Sequence, residues 1–220
     1  MSNIINQGIL NIFNRVAPNL TPVIEVSLDL IPYASNFYNR IKSNRFERRI
    51  EENLIHLKKI SQLYADTTLS AEFISEKVSP IVFGDIIEEY EDSKINLILT
   101  GFENIFIEEN SKESVIISYF DTLRTLRYID IKRLLYFAGK SEYEMPEKGS
   151  EEHAILENSD KKLMSLGLIY KKEGGISFGV IYPEEKTITT FNRNNIRISK
   201  YADNFVNFIT SNTVFDNEIE

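Results

Sequence analysis

The chain has no cysteine and no tryptophan, and only two histidines, His56 and His153, among its 220 residues. The missing thiols exclude disulfides, thiolate zinc sites and a cysteine nucleophile, and they fit a reducing compartment. Two histidines so far apart in sequence exclude a histidine-rich metal site within one chain. Carboxylates alone remain able to hold Mg²⁺ or Ca²⁺, but neither a metal nor another cofactor is expected. Long apolar runs are missing too: no stretch approaches the roughly 18 residues a membrane-spanning helix needs. The opening segment MSNIINQGILNIFNRV lacks a basic n-region and a small-residue cleavage site, so no secretory signal is expected there. Gly-x-Ser-x-Gly, a Walker loop, a dinucleotide fingerprint and His-Glu-x-x-His are all absent. A non-enzyme in a bacterial cytoplasm is the expectation.

What is present suits a folded chain. Hydrophobic residues make up 42% and charged residues 26%, near the averages for globular proteins. Fourteen Phe and eleven Tyr supply much of the burial, about 1.5–3 kcal/mol for each fully buried ring. The net charge of −8 opposes approach to nucleic acid or anionic lipid unless the basic residues gather on one face.

Apolar spacing predicts helices through most of the chain. Ile5, Ile9, Ile12, Phe13 and Val16 form one amphipathic face, ending near Pro18. Thr21-Pro22 reads as an N-cap and first helical residue, which favours helix for Val23–Leu30 although the segment also alternates as a strand would. One long surface helix is expected from Asn39 to about Tyr64, followed by Leu69–Val78. Ser79-Pro80 reads as a second cap, opening a helix over Pro80–Tyr90, and another follows from about Ser93 to Glu108. Further helices are expected at Ser114–Leu126, Asp130–Gly139 and Glu151–Leu166, the last capped by Ser150 and closed by Gly167. Strand-like segments follow at Leu168–Tyr170, Ile176–Tyr182, Thr187–Phe191 and Asn195–Ile198, and then a helix over Tyr201–Thr210. The fold class expected is mainly α: a helical region at 1–112, then a domain at 113–220 with a small antiparallel β-hairpin or sheet.

The order helix, helix, helix, hairpin resembles a winged helix-turn-helix, with LMSLGLIYKKEGG (163–175) similar to its third helix and following strand and NNIRISKYADNFVNFI (194–209) to its last strand and closing helix. A DNA-reading third helix carries Arg, Lys, Asn or Gln at its N-terminal end. Here that end is Glu151, Glu152, His153 and then Glu157, so protein binding is favoured over DNA. The whole chain also resembles the small bacterial proteins grouped with the abortive-infection protein Abi-alpha. The likeness lies in an apolar, proline-containing segment (LIPYASNFYNRI, 30–41) leading into an Arg/Glu-rich helix (RFERRIEENLIHL, 45–57), a helical middle and the LGLI-type C-terminal region. It implies a role in phage resistance, with no catalytic residues to carry over.

Four sets of residues can be weighed as sites. Lys171, Lys172, Lys186, Arg193 and Arg197 give the wing some basic character for nucleic acid, and Lys132 and Arg133 can join them. Arg40, Lys42, Arg45, Arg48 and Arg49 can dock on a membrane or another anion, or form a solvated face offset by Glu47, Glu51 and Glu52; residues 22–49 would then be the membrane anchor. Asp85, Glu88, Glu89 and Asp92 would share a helical face able to hold a cation, or simply one that is solvated. His153–Glu157 and Glu52–His56 stand four apart and can each meet on a helix. A partner protein or self-association is expected ahead of nucleic acid, and nucleic acid ahead of a membrane.

Overall fold

A computed structural model describes residues 2–30, 36–172 and 191–210. The protein is mainly α, as expected, with ten α-helices and one two-stranded antiparallel sheet among the described residues. None of the described helices is long and apolar enough to cross a membrane. The chain divides into two compact units, Met1–Thr125 with Asn207–Glu220, and Leu126–Val206. The division falls one helix later than the boundary expected between 112 and 113, because the helix over Glu113–Thr125 packs on the helices before it.

The first unit contains α1 (Ser2–Val16), α2 (Thr21–Leu30), α3 (Asn36–Glu52), α4 (Leu54–Asp66), α5 (Ser79–Glu88), α6 (Ile95–Ile107) and α7 (Glu113–Thr125). Helix α6 is its centre. INLILTGFENIFI is apolar on nearly every side, and every residue from Leu97 to Phe106 is buried, as a helix without a polar face must be. Helices α4, α5 and α7 pack around it. Edge-to-face rings run through this core: Phe13 and Phe46 on Phe83, Phe83 on Phe102, Phe102 on Phe106, and Phe106 on Tyr64, with centroids 5.0–6.3 Å apart. Each such pair adds about 0.5–1.5 kcal/mol beyond area burial. Gly101 has an internal reason to lack a side chain, since a Cβ there would stand 2.7 Å from the ring of Phe208. One turn on, Asn104 donates to the carbonyls of Phe208 (2.8 Å) and Thr210 (3.2 Å), satisfying acceptors that the end of the last helix leaves open.

Three local expectations are corrected. The long helix over Asn39–Tyr64 is two helices, α3 and α4, broken at Asn53 (φ −116°, ψ 22°), whose side-chain amide donates to the Arg49 carbonyl at 2.8 Å. Competition of this kind is why Asn is a poor helix-interior residue. Ser79 does not cap α5, because a π-helical turn, Phe73–Val78, runs straight into the helix. Thr21 does not cap α2 either, since the 3₁₀ turn Pro18–Leu20 continues into it. Both hydroxyls are buried without a hydrogen-bond partner.

The second unit holds α8 (Tyr128–Phe137), α9 (Glu151–Ser165), β1 (Ile169–Lys171), β2 (Ile196–Ile198) and most of α10 (Lys200–Ile209). Ser150 caps α9 as expected, accepting from the His153 N–H at 3.1 Å. Gly167 closes it at φ +66°, a conformation that favours glycine. The strands pair Ile169 with Ile198, Tyr170 with Arg197 and Lys171 with Ile196. These are two of the four expected strand segments. Ile176–Tyr182 lies outside the described residues, as does Thr187–Phe191 except for Phe191, which is in no strand.

The unpartnered hydroxyls yield a test. Thr21→Val and Ser79→Ala should each raise the unfolding free energy in urea by about 1 kcal/mol, because a buried hydroxyl without a partner costs desolvation and returns nothing. A loss of stability in either variant would show that the hydroxyl is hydrogen-bonded after all.

Candidate functional site

The two charged clusters read separately in the sequence meet each other. Arg49, only 1% exposed, donates to Asp92 Oδ1 at 2.8 Å and 2.7 Å, to the Glu89 carbonyl at 2.8 Å and to the Ile86 carbonyl. Arg48 joins Asp92 Oδ2 at 2.8 Å and Glu52 at 2.9 Å, the expected i,i+4 pair. Lys42 pairs with Glu88, and Arg45 reaches the Glu89 carbonyl at 3.3 Å. The side chain of Arg40 lies outside the described residues. Glu89 is also held by Lys94, whose side chain is buried. Burial alone would raise the Asp92 carboxyl, but hydrogen bonds from Arg48 and Arg49 outweigh it and hold the group below the ordinary carboxylate value.

The structure corrects the expected sharing of one helical face by the acidic residues. Helix α5 ends at Glu88, Glu89 is extended and Asp92 opens a 3₁₀ turn, so the four carboxylates do not share one helical face. Among the described residues no three His, Asp or Glu side chains converge as a metal requires. Of the apolar side chains described in or just beyond 22–49, the segment weighed as a membrane anchor, Val23, Ile24, Leu28, Phe46 and Ile50 are buried, whereas Val26 and Ile41 are exposed.

Beside the charged contact lies an open cleft of about 580 Å³. Pro80, Ile81 and Gly84 of α5, Ile98 of α6 and Leu123 of α7 form its apolar part. Asp85, Glu88, Glu89 and Arg124 line it with charge, and Tyr90, 81% exposed, stands at its edge. Arg124 grips Asp85 through Nε at 2.8 Å and Nη2 at 3.1 Å, and holds Asp121 at 2.6 Å. Burial pushes the Asp85 carboxyl above its ordinary value, and the Arg124 contacts only partly offset this. A second, more polar concavity contains His56, Lys59, Asn96 and Glu103. The buried Glu103 carboxylate accepts from Lys59 at 2.6 Å and lies 2.8 Å from His56 Nε2, while His56 Nδ1 is 3.2 Å from Asn96 Oδ1. His56 therefore turns to α6 rather than to Glu52; the break at Asn53 puts that pair on different helices. His153 and Glu157 do meet on α9, at 3.7 Å.

In the second unit the candidate nucleic-acid residues divide. Arg133 is fully buried and so does not join Lys171, Lys172 and Arg197 at the surface. It makes a two-pronged contact with Asp160 (2.7 Å and 2.9 Å), donates to the Phe191 carbonyl at 2.6 Å and lies 4.3 Å from the Phe137 ring centroid. Arg193 donates to the Tyr136 carbonyl at 2.6 Å and to Ser141, and pairs with Glu142 at 3.0 Å. Lys171 and Lys172 are exposed, although Lys172 reaches the Arg193 carbonyl at 3.1 Å. Arg197 is exposed, and Lys186 lies outside the described residues. On α9, Glu151, Glu152, Ala154, Ile155 and Asn158 face solvent. No protein-family model, curated protein or solved structure matches the chain.

Asp130 ties α8 to α9. It accepts from Lys162 at 2.7 Å, from the Arg127 N–H at 2.9 Å and from Ser159. Burial would raise its carboxyl, but these bonds outweigh burial and hold it below the ordinary value. Its stabilisation is therefore present above the unfolded pKa of about 3.9 and lost as pH falls through the lower folded value. Asp130→Asn should be less stable than the parent at pH 7, by a margin that shrinks in urea melts repeated toward pH 3. A margin independent of pH would contradict this role.

Proposed function

We propose that this protein is a non-enzymatic interaction module of the bacterial cytoplasm, acting in phage defence by binding a partner protein or by self-association. The observation that carries the reading is the fate of the basic residues. Lys42, Arg45, Arg48 and Arg49 are engaged with the protein's own carboxylates and carbonyls, and Arg133 and Arg193 are engaged within the second unit. Much of their donor capacity is thus taken up inside the protein, which leaves less of it for phosphate or lipid headgroups. The exposed face of α9 begins with two carboxylates and carries Ile155, which suits a protein surface better than a groove walled by phosphates. The defence role rests on the likeness in layout to the Abi-alpha group.

A DNA-binding role for the second unit is the alternative, favoured by the exposure of Lys171, Lys172 and Arg197. A membrane role is weaker, because Val23, Ile24, Leu28 and Phe46 of that segment are buried in the protein, which leaves Val26 and Ile41 as its exposed large apolar side chains among the described residues.

Plating phages on cells that express the chain tests the proposal. Plaque numbers should fall, and His153→Gln, which removes the one imidazole outside the first unit, should protect as well as the parent. No protection against any phage would contradict the defence role. Protection abolished by His153→Gln with the circular dichroism and the assembly state unchanged would contradict a non-enzymatic mechanism. Saturable duplex-DNA binding that weakens steeply with salt and is lost in Arg197→Glu would favour the alternative.

A further inference from the structure

Gly84 is the sixth residue of a ten-residue helix, α5. Glycine there costs helix stability through backbone entropy and packs nothing in return. Most other described glycines have a local reason: Gly101 admits Phe208, and Gly139, Gly149 and Gly167 take a positive φ; Gly8, inside α1, is an exception, but it lines no cleft with Gly84. Gly84 has neither, since a Cβ built on it meets no atom within 4 Å and its φ is not in the left-handed region. The space it leaves opens into the cleft between α5, α6 and α7. A helix-interior glycine that serves no internal contact is accounted for if another backbone approaches closely at that point.

We infer that this cleft is the docking site for a cationic amphipathic helix of a partner protein, with its apolar stripe over Gly84 and its Lys or Arg residues toward Glu88. This rests on the interaction-module reading and names its surface. Charge complementarity identifies the partner. Three carboxylates and one guanidinium line the cleft, and Glu88, whose side chain is 54% exposed, has Lys42 on a single oxygen. The first unit as a whole carries 12 Lys and Arg against 21 Asp and Glu. A second copy of so acidic a unit is repelled, whereas a basic segment is drawn in. Length fits as well: the ten residues of α5 extend about 15 Å, enough for anchors at i, i+3 or i+4, and i+7 of an incoming helix. The exposed Tyr90 at the end of the cleft supplies an aromatic contact, the residue type most enriched where binding energy concentrates.

The probe is a fluorescein-labelled amphipathic peptide of roughly 14 residues, long enough to turn helical on contact, with leucines on one face and lysines on the other. A second peptide carries Glu in place of every Lys. Anisotropy titration of the full chain should show saturable binding of the Lys peptide, at least about tenfold tighter than the Glu peptide. Gly84→Leu fills the cleft without altering charge and should weaken binding by about tenfold or more, with a melting temperature no lower than the parent's. Glu88→Lys, an exposed change, should weaken it comparably and provides the second variant. In ¹H–¹⁵N spectra the shifted amides should centre on residues 80–90 and 123–124. Absence of Lys-peptide binding, equal binding by Gly84→Leu, or shifts confined to the face of α9 would overturn the docking site. Phage plating separates this failure from that of the module reading. Full protection by a Gly84→Leu protein that no longer binds peptide removes the cleft and leaves the module; no protection by the parent removes the module itself.

Discussion

Arg49 is the side chain on which the first unit turns. Its guanidinium is buried, and burying a charge is costly unless partners and hydrogen bonds replace the water that it loses. Asp92 supplies the countercharge, and the carbonyls of Ile86 and Glu89 take the remaining donors. Those acceptors sit where α5 ends and the chain turns into α6. The contact therefore fixes the end of one helix, the loop after it and the start of the helix at the centre of the core. Arg48, Arg45 and Lys42 extend it along α3 at intervals of three residues, and Lys94 closes it from the buried side.

The proposed docking cleft depends on that geometry. Because α5 is anchored at its C-terminal end, its Pro80–Gly84 face is presented beside Ile98 and Leu123 as a fixed wall, and Asp85 is set where Arg124 of α7 can clasp it. The result is a cleft with an apolar floor and a mostly acidic rim, which would require little reorganisation to accept the proposed partner helix. In the second unit two more arginines act in the same manner. Arg133 and Arg193 hold the chain leaving the 173–190 segment to α8 and to the loop after it. Arginine suits this work because its rigid fork of donors bridges carboxylates and carbonyls together.

Much of the fold was legible because helices announce themselves through apolar periodicity. The helices of the core, the cap at Ser150, the close at Gly167 and the strand character of Leu168–Tyr170 and Asn195–Ile198 all rest on local chemistry, whereas which strand segments pair does not. The breaks were less legible for a physical reason. Ser79-Pro80 and Thr21-Pro22 carry the residues of a helix start, yet each follows a tight or wide helical turn that leads directly into the next helix. Asn53 gave a weak sign of a break, masked by the Arg- and Glu-rich pattern on either side. The candidate site was half legible. Both charged clusters stood out, but sequence distance hid their pairing, since residues 42–49 and 88–92 meet only through the fold. Gly84 carried the one signal that could have found the cleft, a glycine inside an otherwise good helical pattern.

The interlock of α3 with the α5–α6 turn is tested most directly by a double-mutant cycle on Arg49→Met and Asp92→Asn, read in urea unfolding. Charge-assisted contacts of this geometry, one partner buried and the other half in solvent, should give a coupling of about 1–2 kcal/mol, with Arg49→Met alone costing more because the Ile86 and Glu89 carbonyls lose their donor. A coupling near zero, with Arg49→Met as stable as the parent, would contradict the interlock and return the basic face of α3 to the solvent.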